Sequence, residues 1–189
     1  MRILFLSQLI PYPLDAGPKV RIYHVLQYLA AAGHDVTLVA FRRDSDSAKD
    51  IRQVGSLVRE LHTVLMVRSP LKDALSGVRS LLTGRPFLID RDRVGAVNRL
   101  IDELLAGREF DAIHADQLWM AQYALRASTR AGQTGKRPMR VLDQHNAVYM
   151  IPKRMADGTA GRLKRAMLRL ESQKLAQYEL DTCSNFDRV

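Results

Sequence analysis

The first forty residues admit few folds. Residues 3–6 form an apolar run that ends in Ser7-Gln8. Pro11, Pro13, Gly17 and Pro18 then interrupt the chain and forbid regular structure over residues 9–18. Beyond them Ile22, Val25, Leu26, Leu29 and Ala30 recur at the spacing of one helical face. Pro18 suits a first helical position, where its missing N–H is not needed. Gly33 stands where a C-capping glycine belongs. Residues 36–41 are β-branched and mostly apolar, as expected of a strand buried on both faces. Strand, helix and strand in that order imply a right-handed parallel crossover.

The alternation continues. Ile51, Val54, Val58 and Leu61 mark a second helix, and residues 63–67 a third strand. Residues 71–82 read as a helix with Leu71, Leu75, Val78 and Leu82 on one face, broken by Gly84-Arg85-Pro86. Val94, Val97, Ile101, Leu104 and Leu105 mark another helix, closed by Gly107. Residues 111–115 form a fourth strand, residues 118–131 a helix, residues 132–138 a polar loop and residues 140–143 a fifth strand. A long helix is expected over residues 159–178, with Leu163, Met167 and Leu170 on one face. Residues 184–189 read as the lead-in to one more strand, so the chain is expected to be part of a longer protein. This pattern predicts an α/β fold, a parallel sheet covered by helices on both sides, in one domain over residues 1–189. In such sheets ligands sit at the C-terminal ends of the strands. Three of these ends carry unusual residues: the Gly17 loop, His114-Ala115-Asp116, and Asp143-Gln144-His145-Asn146.

Composition narrows the function classes. Apolar residues make up 47% of the 189, enough for a core. No apolar run approaches the ~20 residues of a membrane span. The apolar opening is too short for a signal peptide, and prolines follow it, so a cytoplasmic protein is expected. Cys183 is the only cysteine, which rules out an intrachain disulfide. No HExxH, CxxC or GxSxG occurs, so no metal centre or serine nucleophile elbow is expected. One glycine is not a GxGxxG fingerprint, and no GxxxxGK[ST] is present.

The formal charge is +9, from 29 Lys+Arg against 20 Asp+Glu. Such a surplus fits an anionic partner or an ordinary arginine-rich surface. Arg162, Lys164, Arg165, Arg169 and Lys174 decorate the long helix, while Arg85, Arg91, Arg93 and Arg99 crowd the middle. A basic helix attracts anionic lipid, which makes peripheral contact with the inner membrane face one expectation. Nucleic acid is not expected, because aromatics are only 6% of the chain and form no stacking platform.

Each candidate residue has a plain alternative. Gly17 places a helix N-terminus and its free N–H groups at the loop, with Lys19 and Arg21 adding charge; it also serves simply as a turn. His145 can hydrogen-bond a ligand hydroxyl or phosphate and can act as acid or base, whereas lone loop histidines are more often structural. Asp143 and Asn146 beside it raise the weight of the functional option. His114, between Ile113 and Ala115, reads as a core histidine. Asp116 is a candidate for a ligand hydroxyl.

Taken in order, these pieces look like a known series. The opening strand, Pro11-Tyr12-Pro13, Asp15-Ala16-Gly17, Ala32-Gly33-His34-Asp35-Val36-Thr37-Leu38-Val39, Phe110-Asp111-Ala112-Ile113-His114-Ala115 and Leu142-Asp143-Gln144-His145-Asn146 together resemble the N-terminal domain of GT-B glycosyltransferases of the retaining group-1 family (family 4). The resemblance implies a Rossmann-like three-layer sandwich that acts as the acceptor-side half of a nucleotide-sugar-dependent transferase. The donor-binding C-terminal domain, with its Arg/Lys pair and E-x7-E glutamates, has no counterpart in this chain. Gly17 matches the loop that approaches the donor diphosphate, and His145 a position that often faces the donor sugar, with Asn146 its neighbour. Lys19, Arg21, Asp116 and Arg154 are added from charge and placement. The resemblance implies front-face attack by an acceptor hydroxyl, the departing diphosphate being stabilised by cations and backbone dipoles. The expected substrates are a nucleoside-diphosphate sugar and a sugar, lipid or small-molecule acceptor, with no metal or other cofactor. A stand-alone binding or membrane-docking module and part of a nucleotide-sugar epimerase remain open on the same residues.

Overall fold

A computed structural model describes residues 1–135 and 137–189. In chain order the elements are β1 (Arg2–Ser7), α1 (Gly17–Ala31), β2 (Asp35–Arg42), α2 (Ala48–Gly55), β3 (Glu60–Leu65), α3 (Pro70–Thr83), α4 (Phe87–Arg91), α5 (Gly95–Gly107), β4 (Ala112–Asp116), α6 (Leu118–Thr134), β5 (Met139–Asp143), α7 (Met150–Asp157) and α8 (Arg162–Cys183). They form two compact units. The first comprises Met1–Val67, Val94–Asp143 and Phe186–Val189, and the second Arg68–Arg93 and Gln144–Asn185.

The first unit is built on a five-stranded parallel sheet in the order β3-β2-β1-β4-β5. Side chains alternate across it. Phe5, Val36, Leu38 and Ala40 point to one face, where Ile22 and Leu26 of α1 and Val54 of α2 close a core. Leu4, Leu6, Val39, Phe41 and Ile113 are as deeply buried on the other side. There Tyr123 of α6 meets Phe41 edge-on at 6.1 Å, and its hydroxyl accepts the Val94 N–H at 2.7 Å. Burial on both faces explains why these strands read as continuous apolar runs. The arrangement is the expected Rossmann-like three-layer α/β sandwich.

Local chemistry sets the element ends. Gly33, at φ +74°, closes α1 in a left-handed conformation that a side chain disfavours. Ser47 caps α2 by accepting the Asp50 N–H at 3.1 Å. β3 starts earlier than its sequence suggests: Leu61, spaced as a helical residue, lies in the strand opposite Leu38. Residues 132–134, expected as loop, continue α6. Lys136, in the same expected loop, lies outside the described residues. The last residues do begin to pair: the Leu142 N–H donates to the Arg188 carbonyl at 2.9 Å, and Asp187 takes the Arg140 guanidinium at 2.9 Å.

The second unit holds α3, α4, α7 and α8. Periodicity signals neither α4 nor α7, because each is short. In α7 the buried Pro152 falls in the first turn, where a missing N–H costs nothing. Glu171 accepts the N–H groups of Phe87 and Leu88 at 3.1 and 2.9 Å and so satisfies the start of α4. Lys174 donates to the Ser80 carbonyl at 2.8 Å. The buried Asp90 carboxylate meets Arg79 at 3.3 Å and Arg85 at 3.0 Å, and Asp92 meets Arg68 at 2.9 Å. Of the arginines crowding the middle of the chain, Arg85 and Arg91 therefore serve internal carboxylates. No helix among the described residues is long and apolar enough to cross a membrane.

Candidate functional site

The strand order reverses beside β1: β2 lies on one side of it and β4 on the other. The C-terminal ends of β1 and β4 therefore flank the switch point where open α/β sheets bind ligands. β1 ends in buried Ser7, whose Oγ donates to the Leu9 carbonyl at 2.8 Å and turns the chain out of the sheet. Ile10, fully buried, anchors the proline loop, and Tyr12 packs against Tyr23 of α1 at 5.9 Å. The loop is thus held at both ends.

Gly17 opens α1. Its φ is not left-handed, and a Cβ there would meet nothing within 4 Å. The fold itself does not require glycine at this position; the space in front of it is open. Lys19 reaches back to Asp15 at 2.9 Å, which holds the Asp15 carboxyl below its usual range. Arg21 forks onto Asp143, with Nε donating to Oδ2 at 3.0 Å and Nη2 to Oδ1. The Asp143 bond, with Asp116 adding to it, pushes the Arg21 pKa up, so the cation is permanent. Two of the three cations expected to meet a ligand, Lys19 and Arg21, are therefore already held by carboxylates of the first unit.

Asp116 and Asp143 end neighbouring strands and are register partners. Residues on one rung of a parallel sheet point the same way, which sets two carboxylates side by side. Asp116 is only 1% exposed. Like charges at such spacing disfavour each other, and Arg21 offsets the cost. Asp143, with 15% of its side chain exposed, keeps acceptor lone pairs beyond those that Arg21 takes, whereas Asp116 is closed to solvent beneath it. The sequence offers Asp143 as support for His145 and as a carboxylate at a strand end; its pairing with Arg21 spans 122 residues and leaves no trace in local spacing.

Gln117 follows at once, with φ 67° and ψ 161°. That region is essentially glycine-only, and holding another residue in it costs about 1–3 kcal/mol. The Gln117 N–H donates to the Asp143 carbonyl at 2.9 Å, which ties the strained residue to the acidic pair. A strained residue at the switch point is a functional signal that the sequence does not carry. His114, by contrast, stacks on Phe5 at 4.2 Å within the sheet.

Three expected site residues belong to the second unit. His145 is half-buried, and Asn146 is exposed with its carbonyl accepting the Gln144 amide at 2.8 Å. Glu179 of α8 braces this loop by accepting the Gln144 amide at 2.9 Å and the Val148 N–H at 3.0 Å. Sequence reasoning misses Glu179, since more than thirty residues separate it from the loop it holds. Arg154 is exposed on α7, and no acidic side chain pairs with it among the described residues.

Comparison with curated proteins and with solved structures returned no match. A family profile described as Glycosyl transferase 4-like domain matches residues 16–180, from the Gly17 loop into α8. That match spans most of the chain, which belongs to the glycosyl transferase 4-like domain family.

Proposed function

We propose that this chain is the N-terminal, acceptor-side domain of a retaining glycosyltransferase of the GT-B type. It would present an acceptor hydroxyl to the anomeric carbon of a nucleotide-diphosphate sugar. The observation that carries this is the acidic rung at the switch point, Asp116 beside Asp143 with Arg21 forked onto it. Within a glycosyl transferase 4-like domain, a strand-end carboxylate that keeps acceptor lone pairs, as Asp143 does, suits a hydroxyl of a sugar or polyol acceptor.

The open space before Gly17 lets a diphosphate approach the first N–H groups of α1. His145 is the candidate polar contact to the transferring sugar, with Asn146 beside it, and Arg154 a further cation for phosphate. Lys19 and Arg21 act from their carboxylate pairs: each pair orients its cation before ligand arrives, and positioning of this kind is what such a site contributes. No metal is invoked. The reading requires a second, donor-binding domain.

The acidic rung also favours a second reading, a nucleotide-sugar epimerase using Asp116 or Asp143 as base. One experiment separates the two. The full-length protein is incubated with UDP-, GDP- and ADP-sugars and an acceptor panel, and products are separated by chromatography that resolves epimers and then weighed by mass spectrometry. Acceptor-dependent release of nucleoside diphosphate with a glycosylated product supports transfer, and an isomerised donor of unchanged mass supports epimerisation. In the transferase, His145→Ala lowers turnover without lowering the melting temperature. Unaltered turnover removes His145 from the site.

A further inference from the structure

The second unit exposes what a folded domain normally buries. Leu71, Leu75, Val78 and Leu82 stand one helical turn apart along α3 and are 56–82% exposed. A stripe at that spacing is built to face an apolar phase, and none of the described protein covers it. Val78 also sits one turn from Leu81, which lines a groove of about 410 Å³ among α3, α4, α7 and α8. The groove walls are apolar, with Phe87, Ile151, Met155 and Met167 among them, and Lys164 and Lys174 stand at its edge. Stripe and groove thus adjoin through α3.

Charge on this unit is equally lopsided. Its two segments carry 13 Lys+Arg against 7 Asp+Glu, which accounts for +6 of the chain's +9. Several of its acids are spent internally: Asp90 and Asp92 on arginines, Glu171 and Glu179 on backbone N–H groups. Lys153, Arg154, Arg162, Lys164 and Arg169 are exposed, and none has an acidic partner among the described residues. On α7, Lys153 and Arg154 lie between the exposed Ile151 and Met155. On α8, Lys164 and Arg169 are interleaved with the exposed Leu163, Met167 and Leu170.

We propose that the second unit docks on a membrane surface of acidic lipids. The α3 stripe and the groove would take the acyl boundary, and the interleaved cations the headgroup phosphates. Interfacial helices combine these two ingredients, and long Lys and Arg side chains let the charge reach headgroup level while their stems stay apolar. The charge disfavours the simplest alternative: a second copy would bring one unit of net charge +6 against another. A small apolar ligand would fill the groove and leave the α3 stripe in water. The inference stands on this surface alone and does not depend on sugar transfer.

The test is flotation of the full chain with vesicles of phosphatidylcholine alone or mixed with phosphatidylglycerol, with light scattering in parallel. Binding to the acidic vesicles only, weakened by high salt, is the expected result. The double variant Lys164→Glu, Arg169→Glu should lose about tenfold or more in affinity. Leu75→Ser with Leu82→Ser should lose a similar factor while keeping the same melting temperature and circular dichroism, because both side chains are already exposed. Failure to bind acidic vesicles overturns the proposal, as does equal binding to neutral ones. A concentration-dependent dimer abolished by the leucine variants would also overturn it and assign the face to a second copy. Sugar transfer is read separately, so loss of either activity leaves the other interpretable.

Discussion

Arg21, on the second turn of α1, grips Asp143, the last residue of β5, through both arms of its guanidinium. The contact ties the helix after the first strand to the far side of the switch point. Asp143 is 15% exposed at its side chain and Arg21 55%. Solvent screening on the arginine side keeps the net value modest, at about 1 kcal/mol. A double-mutant cycle with Arg21→Ala and Asp143→Asn, followed by urea unfolding, should return a coupling of that size. Additive effects of the two changes would mean that the fork does not hold in solution.

Gln117 provides a second test, because its strain makes an unusual prediction. Gln117→Gly removes the Cβ from a backbone conformation that only glycine adopts freely. Relief of about 1–3 kcal/mol is opposed by about 0.5–1 kcal/mol of extra chain entropy in the unfolded state. The variant should therefore be more stable than the parent by about 1 kcal/mol in thermal unfolding. A less stable variant would show that the Gln117 side chain contributes more than its backbone costs.

Much of the sandwich is legible in the sequence because each local signal agrees with the tertiary one. Residues 36–41 are apolar on nearly every position since β2 is buried on both faces, and Gly33 stands where α1 needs a left-handed residue. The second unit is harder to read. Leu71, Leu75, Val78 and Leu82 announce a helix correctly, but periodicity cannot say whether the apolar face meets a core, and here it is exposed. Leu61 misleads because a buried strand residue and a helix residue look alike at the end of a pattern. At the site, sequence finds residues by type at strand ends, hence Asp116 and Asp143. It cannot find Glu179 or the Arg21–Asp143 fork, whose partners meet only through the fold. The Gln117 strain has no compositional signature.

Acid should loosen the end of the chain before the sheet. Arg140 donates to Asp187 through its backbone N–H at 2.8 Å and its guanidinium at 2.9 Å, which lowers the Asp187 pKa to about 2. An unfolded aspartate titrates near ~3.9. Since the folded value is the lower one, the stabilisation is complete above about pH 4 and is lost as pH falls toward about 2. Amide exchange at Leu142, whose N–H bonds the Arg188 carbonyl, should accelerate over that interval beyond the intrinsic change. Asp187→Asn should abolish the pH dependence. Persistence of the effect in that variant would assign it to another carboxylate.

Gly17 separates a structural turn from a ligand-facing one. Its backbone is not left-handed, and a methyl group there would have no heavy atom within 4 Å, so Gly17→Ala fits the fold. Alanine also favours the start of a helix over glycine, by up to about 0.5–1 kcal/mol in a helix interior. Stability should be unchanged or slightly higher. If a sugar-nucleotide diphosphate lies against the α1 N-terminus, the new methyl occupies the space the phosphate needs. In the full-length enzyme KM for the donor should then rise about tenfold, equivalent to ~1.4 kcal/mol, while KM for the acceptor stays the same. Gly17→Ser is the useful companion, since its hydroxyl adds bulk together with a donor for phosphate. Unchanged donor KM in both variants would place the diphosphate elsewhere and leave Gly17 as a turn.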